Sequence, residues 1–168
     1  VIAENGKAYI VHENYVDNLH IKVKNTIKVG TGRELYGMEY IPPFNYYPKR
    51  KYTIITDPFV ETCGGIGTGI VHLACSFGEI DHDVCMKNKI VTIDDVIELC
   101  PIDDDGKFTE PITEFKGMLV FDANDMILKK LAENGKLVRK EKYTHSYPHS
   151  DRTGEPLIHR AMSSYFVR

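Results

Sequence analysis

A segment rich in glycine, residues 67–81, constrains this chain more than any other part of the sequence. It reads GTGIVHLACSFGEID and places three glycines within fifteen residues. Glycine permits backbone conformations that a side chain forbids, which suits a loop that must approach a ligand closely. His72 and Asp81 then supply an imidazole and a carboxylate at the two ends of the loop. The segment therefore predicts a small polar pocket.

Composition limits the class of protein. The chain has 168 residues, of which 42% are hydrophobic and 27% charged, so it fits one globular domain over residues 1–168 with a sizeable core. No apolar run approaches the roughly 20 residues that span a bilayer, and no signal segment opens the chain. The net charge of −3 argues against a nucleic-acid-coating protein, although local basic patches could still meet phosphate.

The four cysteines form no CxxC pair and have no histidine at zinc-finger spacing: Cys63, Cys75, Cys85 and Cys100. Two disulfides are compatible with the sequence. Scattered thiols without a signal peptide are more typical of a reduced, intracellular protein.

Strand signals dominate the first half of the chain. Residues 7–12, 20–24 and 52–56 are rich in β-branched and aromatic side chains, and two further strands are predicted over 137–140 and 157–161. Short strands separated by turns favour a barrel-like β-sheet core. The predicted class is α+β, with a few peripheral helices.

Three helices are predicted, over residues 81–88, 92–99 and 123–134. The second begins at a Thr92 cap with Asp95 at its third position. The third has an apolar face and ends at a glycine; the residues concerned are Met126, Ile127, Leu131 and Gly135.

The sequence GTGIVHLA at 67–74, followed by FGEID at 77–81, resembles the signature of the editing (connective-peptide) domain of isoleucyl-tRNA synthetases, which are class I aminoacyl-tRNA synthetases. The resemblance extends from about residue 36 through HSYP at 145–148 to YFVR at 165–168, and it is weaker before residue 36. Phe77-Gly78 resembles the eukaryotic and archaeal branch, so a eukaryotic cytosolic enzyme is expected.

This resemblance implies a post-transfer editing activity that hydrolyses Val-tRNA(Ile) and spares Ile-tRNA(Ile). The parent enzyme would ligate isoleucine to tRNA with ATP and Mg²⁺ at a separate site, and the editing domain would need no cofactor or metal. The expected partners are the acceptor end of tRNA(Ile), the valine or isoleucine moiety and the rest of the synthetase chain, in the cytoplasm and away from membranes.

The resemblance also implies roles for the polar residues of the loop. Asp81 matches the aspartate that binds the α-ammonium of the misattached amino acid, although an aspartate at this place could merely cap a helix. His72 matches the histidine that rejects isoleucine at the pocket wall. From the residues alone, a lone histidine after a strand-like Ile70-Val71 is more often a hydrogen-bonded structural residue, and nothing near His72 in sequence makes it a general base.

Three further loop residues are candidate substrate contacts. Thr68 and Gly69 are expected to line the pocket floor, and the alternative is a simple tight turn. Phe77 could stack against adenine or pack into the core.

Two metal-like patterns are better explained otherwise. Residues 103–106 read DDDG, but the acidic ligand at the twelfth position of a calcium loop is missing, which favours a turn. Pro148 prevents a helix that would align His145 and His149 as metal ligands.

The chain also departs from the family pattern. Cys75, Ile80 and His82 stand where proline, an acid and tyrosine are usual, and no threonine-rich segment is present. The chain begins at Val1, so a fragment lacking that upstream segment is expected, with weak or no activity in isolation. The alternative is a non-catalytic tRNA- or aminoacyl-binding remnant that has lost editing.

Overall fold

The computed structural model describes residues 1–3, 5–27, 30–64, 67–165 and 167. These residues contain two β-strands and three α-helices, together with short 3-10 turns, so the α+β class is confirmed. They group into two compact units. Unit 1 consists of Val1–Pro42 and Pro48–His72, and unit 2 consists of Pro43–Tyr47 and Leu73–Arg168.

Unit 1 contains a two-stranded antiparallel sheet. Strand β1 (Ile2–Ala3) pairs with β2 (Val23–Asn25), and an irregularity in register falls between the two residues of β1. A separate bridge joins Glu39 to Thr53. Three 3-10 turns complete the regular structure of the described part of this unit, at Glu13–Tyr15, Asp17–Leu19 and Gly32–Leu35.

The predicted barrel-like core is not confirmed, because within the described residues the sheet has two strands and is not closed. Residues 7–12 contribute one bridge, through Ala8, and residues 52–56 contribute one, through Thr53. The predicted strand over 20–24 starts late because His20 has a left-handed φ of 47° and ends the turn before it. Residues 137–140 and 157–161 are irregular.

Unit 2 carries all three helices of the described residues: α1 (Glu79–Lys87), α2 (Ile93–Glu98) and α3 (Asn124–Glu133). The capping prediction for α2 is confirmed. The Thr92 hydroxyl accepts the backbone N–H of Asp95 at 3.3 Å, and the Asp95 carboxylate accepts the N–H of Thr92 at 2.8 Å. This reciprocal pair satisfies N–H groups that a helix start leaves unpaired.

Two apolar clusters form the core of unit 2. The first is centred on the buried residues Cys85, Val91 and Val96, and it fixes α1 against α2. The second is centred on Ile112, Phe115 and Ala123 and packs against Ile127 of α3. Each cluster is small, so hydrogen bonds from loops carry much of the remaining organisation.

The buried face of α3 differs from the predicted one. Ile127 and Leu131 are half-buried, as predicted from their spacing of four residues, but Met126 is 47% exposed. Successive helical residues are about 100° apart, so Met126 turns away when Ile127 faces the core. No helix of the described residues is long and apolar enough to cross a membrane.

Candidate functional site

The glycine loop, which here means the described residues 61–64 and 67–69, borders an open cleft of about 250 Å³ in unit 1. Gly65 and Ile66 lie outside the described residues. The cleft wall mixes polar and apolar surface, and its polar side chains are those of Tyr15, Glu61 and Thr68. Its lining consists of Tyr15, Phe59, Val60, Glu61, Gly64, Gly67, Thr68, Gly69, Ile70 and Val71.

Thr68 and Gly69 lie in the wall of this cleft, as half-buried residues. The Thr68 hydroxyl donates to the carbonyl of Ile70 at 3.2 Å, which closes a local turn. Gly69 has a φ of 73°, a left-handed conformation that glycine adopts without steric cost. The sequence left two interpretations of Thr68 and Gly69 open, a tight turn and a position in the pocket. In the structure both residues form a tight turn and also line the cleft.

The loop is held from outside by the 12–18 segment, which sequence reasoning missed. The hydroxyl of Tyr15 donates to the Gly64 carbonyl at 2.7 Å, and the side-chain amide of Asn14 donates to the Thr62 carbonyl at 2.8 Å. These partners are 48 and 49 residues apart along the chain. The local sequence pattern contains no signal of such a distant pairing.

His72 ends unit 1 and is exposed. Residues 70–74 are irregular, so His72 does not lie on a strand. No residue in the described part of the chain hydrogen-bonds the His72 ring, so the ring is accessible to a ligand. This position does not support the alternative of a hydrogen-bonded structural histidine.

Asp81 lies in the first turn of α1 and is half-buried. Its Oδ2 accepts the backbone N–H of Ala74 at 2.9 Å and so holds the preceding turn rather than capping its own helix. Among the described residues, no hydrogen bond reaches Oδ1. One oxygen thus fixes the carboxylate while the other is able to accept a donor from a ligand.

Phe77 and His82 lie beside the same turn. The N–H of Phe77 bonds the Ala74 carbonyl at 2.8 Å, and its ring is half-buried. The Nδ1 atom of His82 lies 3.2 Å from the Cys75 carbonyl oxygen. A carbonyl can only accept, so Nδ1 carries the proton, and Nε2 is the ring atom left for other contacts.

The Cys85 thiol lies close to the Asp81 carboxylate and is buried. Burial raises the pKa of Cys85 to about 11, and electrostatic repulsion of the thiolate by Cys75 and Asp81 adds to the effect. The thiol is therefore neutral near pH 7. All four cysteines are free, and within the described ranges no group of three His, Cys, Asp or Glu side chains could hold a metal ion.

The five candidate residues divide between the two units. Thr68, Gly69 and His72 belong to unit 1, whereas Phe77 and Asp81 belong to unit 2. The common pocket of all five stays a prediction. The DDDG motif is the turn that the sequence favoured, since Asp103 Oδ1 accepts the N–H groups of Asp105 and Lys107 at 3.0 and 2.9 Å.

No protein-family model matches the chain. Curated relatives do. The isoleucine–tRNA ligase of Rickettsia typhi is 38% identical over 174 residues, covering 100% of this chain and 15% of the relative. The isoleucine–tRNA ligase of Rickettsia bellii is 39% identical over 156 residues, covering 92% of this chain and 13% of the relative.

A third isoleucine–tRNA ligase, from the Wolbachia of Brugia malayi, is 38% identical over 172 residues, covering 97% of this chain and 14% of the relative. The chain thus spans about 15% of the length of the curated relatives it matches. These relatives are bacterial, so the eukaryotic-type expectation is not confirmed. Since the identity extends over essentially the whole chain, the chain corresponds to a domain of the isoleucyl-tRNA synthetase family.

Proposed function

We propose that this chain is the editing module of an isoleucyl-tRNA synthetase, which hydrolyses the ester of Val-tRNA(Ile) and spares Ile-tRNA(Ile). The observation that carries the proposal is the identity of 36–39% with isoleucine–tRNA ligases over nearly the whole chain. That identity includes the segment in which the editing signature was recognised. The glycine loop, His72 and Asp81 are the parts of the chain assigned to the site.

The chemistry of substrate selection explains the need for such a module. A pocket that binds isoleucine rejects valine only weakly, because one missing methylene changes binding by about 1–3 kcal/mol. A second site that admits valine and excludes isoleucine removes the errors by hydrolysis. It must recognise an α-ammonium, a small branched side chain and the terminal adenosine of tRNA.

Asp81 is the proposed anchor for the α-ammonium. Its Oδ2 is held by the Ala74 N–H, so the carboxylate has a defined orientation before substrate arrives. Its Oδ1 can then accept a charge-assisted hydrogen bond from the ammonium, which fixes the depth of the ester carbonyl. The preorganised oxygen reduces the entropy lost on binding.

His72 is the proposed size gate. The exposed His72 ring, which follows the glycine loop after Ile70 and Val71, can occupy the space that the extra methyl group of isoleucine requires. Thr68 and Gly69 would line the pocket floor beside it, and Phe77 would contact the adenine. In this role His72 excludes by volume and takes no proton.

The intact synthetase would supply the remaining functions. It would ligate isoleucine to tRNA(Ile) with ATP and Mg²⁺ at a separate site in the cytoplasm, and it would deliver the tRNA acceptor end to this module. The module itself would use no cofactor. The barrel-like sheet implied by the family belongs to this proposal, with the bridge between Glu39 and Thr53 as one of its pairings.

Deacylation by the intact synthetase that carries this segment tests the proposal. We expect Val-tRNA(Ile) to be hydrolysed at least tenfold faster than Ile-tRNA(Ile), a difference of about 1.4 kcal/mol. The variant His72→Ala should hydrolyse Ile-tRNA(Ile) faster than the wild type does. A wild-type enzyme that leaves Val-tRNA(Ile) intact would remove the editing function, and unchanged sparing of Ile-tRNA(Ile) by His72→Ala would remove the size gate.

A second candidate is a non-catalytic binding remnant. The observation that favours it is that two departures from the family pattern contact each other, since His82 bonds the Cys75 carbonyl beside Asp81. Titration of a non-hydrolysable valyl-adenosine analogue into the intact enzyme separates the two candidates. An editing site should bind the valyl analogue more tightly than the isoleucyl analogue, whereas a remnant should bind both equally or neither.

A further inference from the structure

We propose that Tyr15 and Asn14 are positioning residues that hold the glycine loop in place and thereby set the selectivity of the editing site for valine over isoleucine. The inference rests on the proposed function. The new element is that residues of the 12–18 segment determine specificity. These residues lie some 50 positions before the loop and outside the editing signature.

In the described part of the chain, four residues of the 12–18 segment donate hydrogen bonds to loop carbonyls. The backbone N–H of His12 donates to the Thr68 carbonyl at 2.8 Å, and the Asn18 side chain donates to the Gly67 carbonyl at 3.2 Å. Asn14 and Tyr15 bond the carbonyls of Thr62 and Gly64, as described above. The contacts thus reach both ends of the loop.

Tyr15 is the central contact because it is buried and serves two purposes. Only 5% of Tyr15 is exposed, and its hydroxyl lies 2.7 Å from the Gly64 carbonyl and 3.3 Å from the Glu61 carbonyl. Its ring lines the cleft and packs edge-on against His12, with ring centroids 5.9 Å apart. A single side chain therefore joins the loop backbone to the wall of the cleft.

The loop needs such external support because its own sequence provides little. Glycine has the largest conformational freedom in the unfolded chain, and a loop with several glycines loses much entropy when it is ordered. The loop leads directly through Thr68 and Gly69 to His72. An error of about 1 Å in the placement of a pocket residue can reduce a rate by a large factor.

The test uses Tyr15→Phe in the intact synthetase. The variant keeps the ring and removes the hydroxyl, and Tyr165→Phe is the matched control because Tyr165 is fully exposed. A lost hydrogen bond of this kind corresponds to roughly a five- to tenfold change. We expect amide hydrogen exchange in the peptide covering 61–69 to accelerate by that factor, with Tyr165→Phe unchanged.

The second readout is the selectivity between the two aminoacyl-tRNAs, which would not change if Tyr15 had a purely structural role. In Tyr15→Phe, the ratio of kcat/KM for Val-tRNA(Ile) to that for Ile-tRNA(Ile) should fall roughly five- to tenfold, mainly through kcat. Asn14→Asp, which keeps the shape of an exposed side chain but removes its donor, should lower the same ratio. Asn14→Asp therefore tests the selectivity role even if Tyr15→Phe fails to fold.

Each outcome decides the proposal. Unchanged exchange in both variants would show that the segment does not hold the loop. Faster exchange with an unchanged selectivity ratio would reduce Tyr15 and Asn14 to structural residues. A wild-type enzyme without deacylase activity would remove the editing function and the selectivity role together, and the exchange data would then report only whether the segment holds the loop.

Discussion

Gly69 lies against His12 so closely that a side chain has no room at position 69. A Cβ on Gly69 would overlap the Cβ of His12 and lie 3.3 Å from Cδ2 of Tyr15. The same backbone contact includes the hydrogen bond from His12 to the Thr68 carbonyl. Glycine at position 69 is thus required by packing as well as by its left-handed φ.

The variant Gly69→Ala should be strongly destabilised. The left-handed conformation costs an ordinary residue about 1–2 kcal/mol, and the overlap with His12 adds roughly 1–3 kcal/mol. Gly6→Ala is the matched control, since Gly6 has a φ of 79° with no atom within 4 Å of the added Cβ. Urea unfolding should show a larger loss for Gly69→Ala, and equal losses would contradict the packing argument.

Thr92→Ala should weaken α2 through loss of the N-cap. We expect the free energy of unfolding to fall by about 1 kcal/mol, because the Asp95 N–H loses its acceptor at the start of the helix. Thr92→Ser keeps the hydroxyl and should recover most of the difference in the same denaturation experiment. Equal stability of the alanine and serine variants would show that the cap contributes nothing.

The stability of unit 2 should depend on Tyr46 at alkaline pH. Partial burial raises the pKa of Tyr46 to about 12, and the hydrogen bond to Glu114 and the charge of Glu114 add to this effect. The usual tyrosine pKa is about 10. A raised folded-state pKa means that the contribution is complete below about pH 10 and is lost as the pH rises towards 12.

Denaturant unfolding at a series of pH values checks this linkage. Between about pH 10 and 12, wild-type stability should fall more steeply than that of Tyr46→Phe, which has no group to ionise. The exposed control Tyr165→Phe should keep the wild-type slope. Parallel curves for wild type and Tyr46→Phe would mean that neither burial nor Glu114 raises the pKa of Tyr46 in solution.

The cysteines should differ sharply in reactivity. Cys63 is exposed, whereas Cys85 is buried and its pKa is raised to about 11. The thiolate is the nucleophile, so iodoacetamide at pH 8 should modify Cys63 at least about tenfold faster than Cys85. Both should react readily in denaturant. Rapid modification of Cys85 in the native protein would place it on the surface.

Local sequence signals predicted the helices well. The Thr92 cap, the glycine after α3 and the acidic first turn of α1 act within a few residues, so they are visible in the sequence. Strands were predicted less well because pairing depends on distant partners. The N–H of Ala161, in a predicted strand, bonds the Ser76 carbonyl instead of a neighbouring strand.

The candidate site shows the same limit. The signature proposes Thr68, His72 and Asp81 as site residues, because family motifs are contiguous in the sequence. It could not reveal that Asp81 holds Ala74 or that Tyr15 holds the glycine loop, since these are contacts of the folded chain. A hydrogen bond from a side chain to a backbone carbonyl about 50 residues away produces no periodic pattern in the sequence, so the sequence does not predict it.

We propose that the charge of Asp81 anchors the substrate ammonium, and the variant Asp81→Asn tests this role. Asparagine can still accept the Ala74 N–H, so the fold should be retained while the charge is lost. We predict that the intact synthetase carrying Asp81→Asn melts close to the wild-type temperature and hydrolyses Val-tRNA(Ile) at least about tenfold more slowly. Wild-type hydrolysis by a folded Asp81→Asn enzyme would show that the charge of Asp81 does not anchor the ammonium.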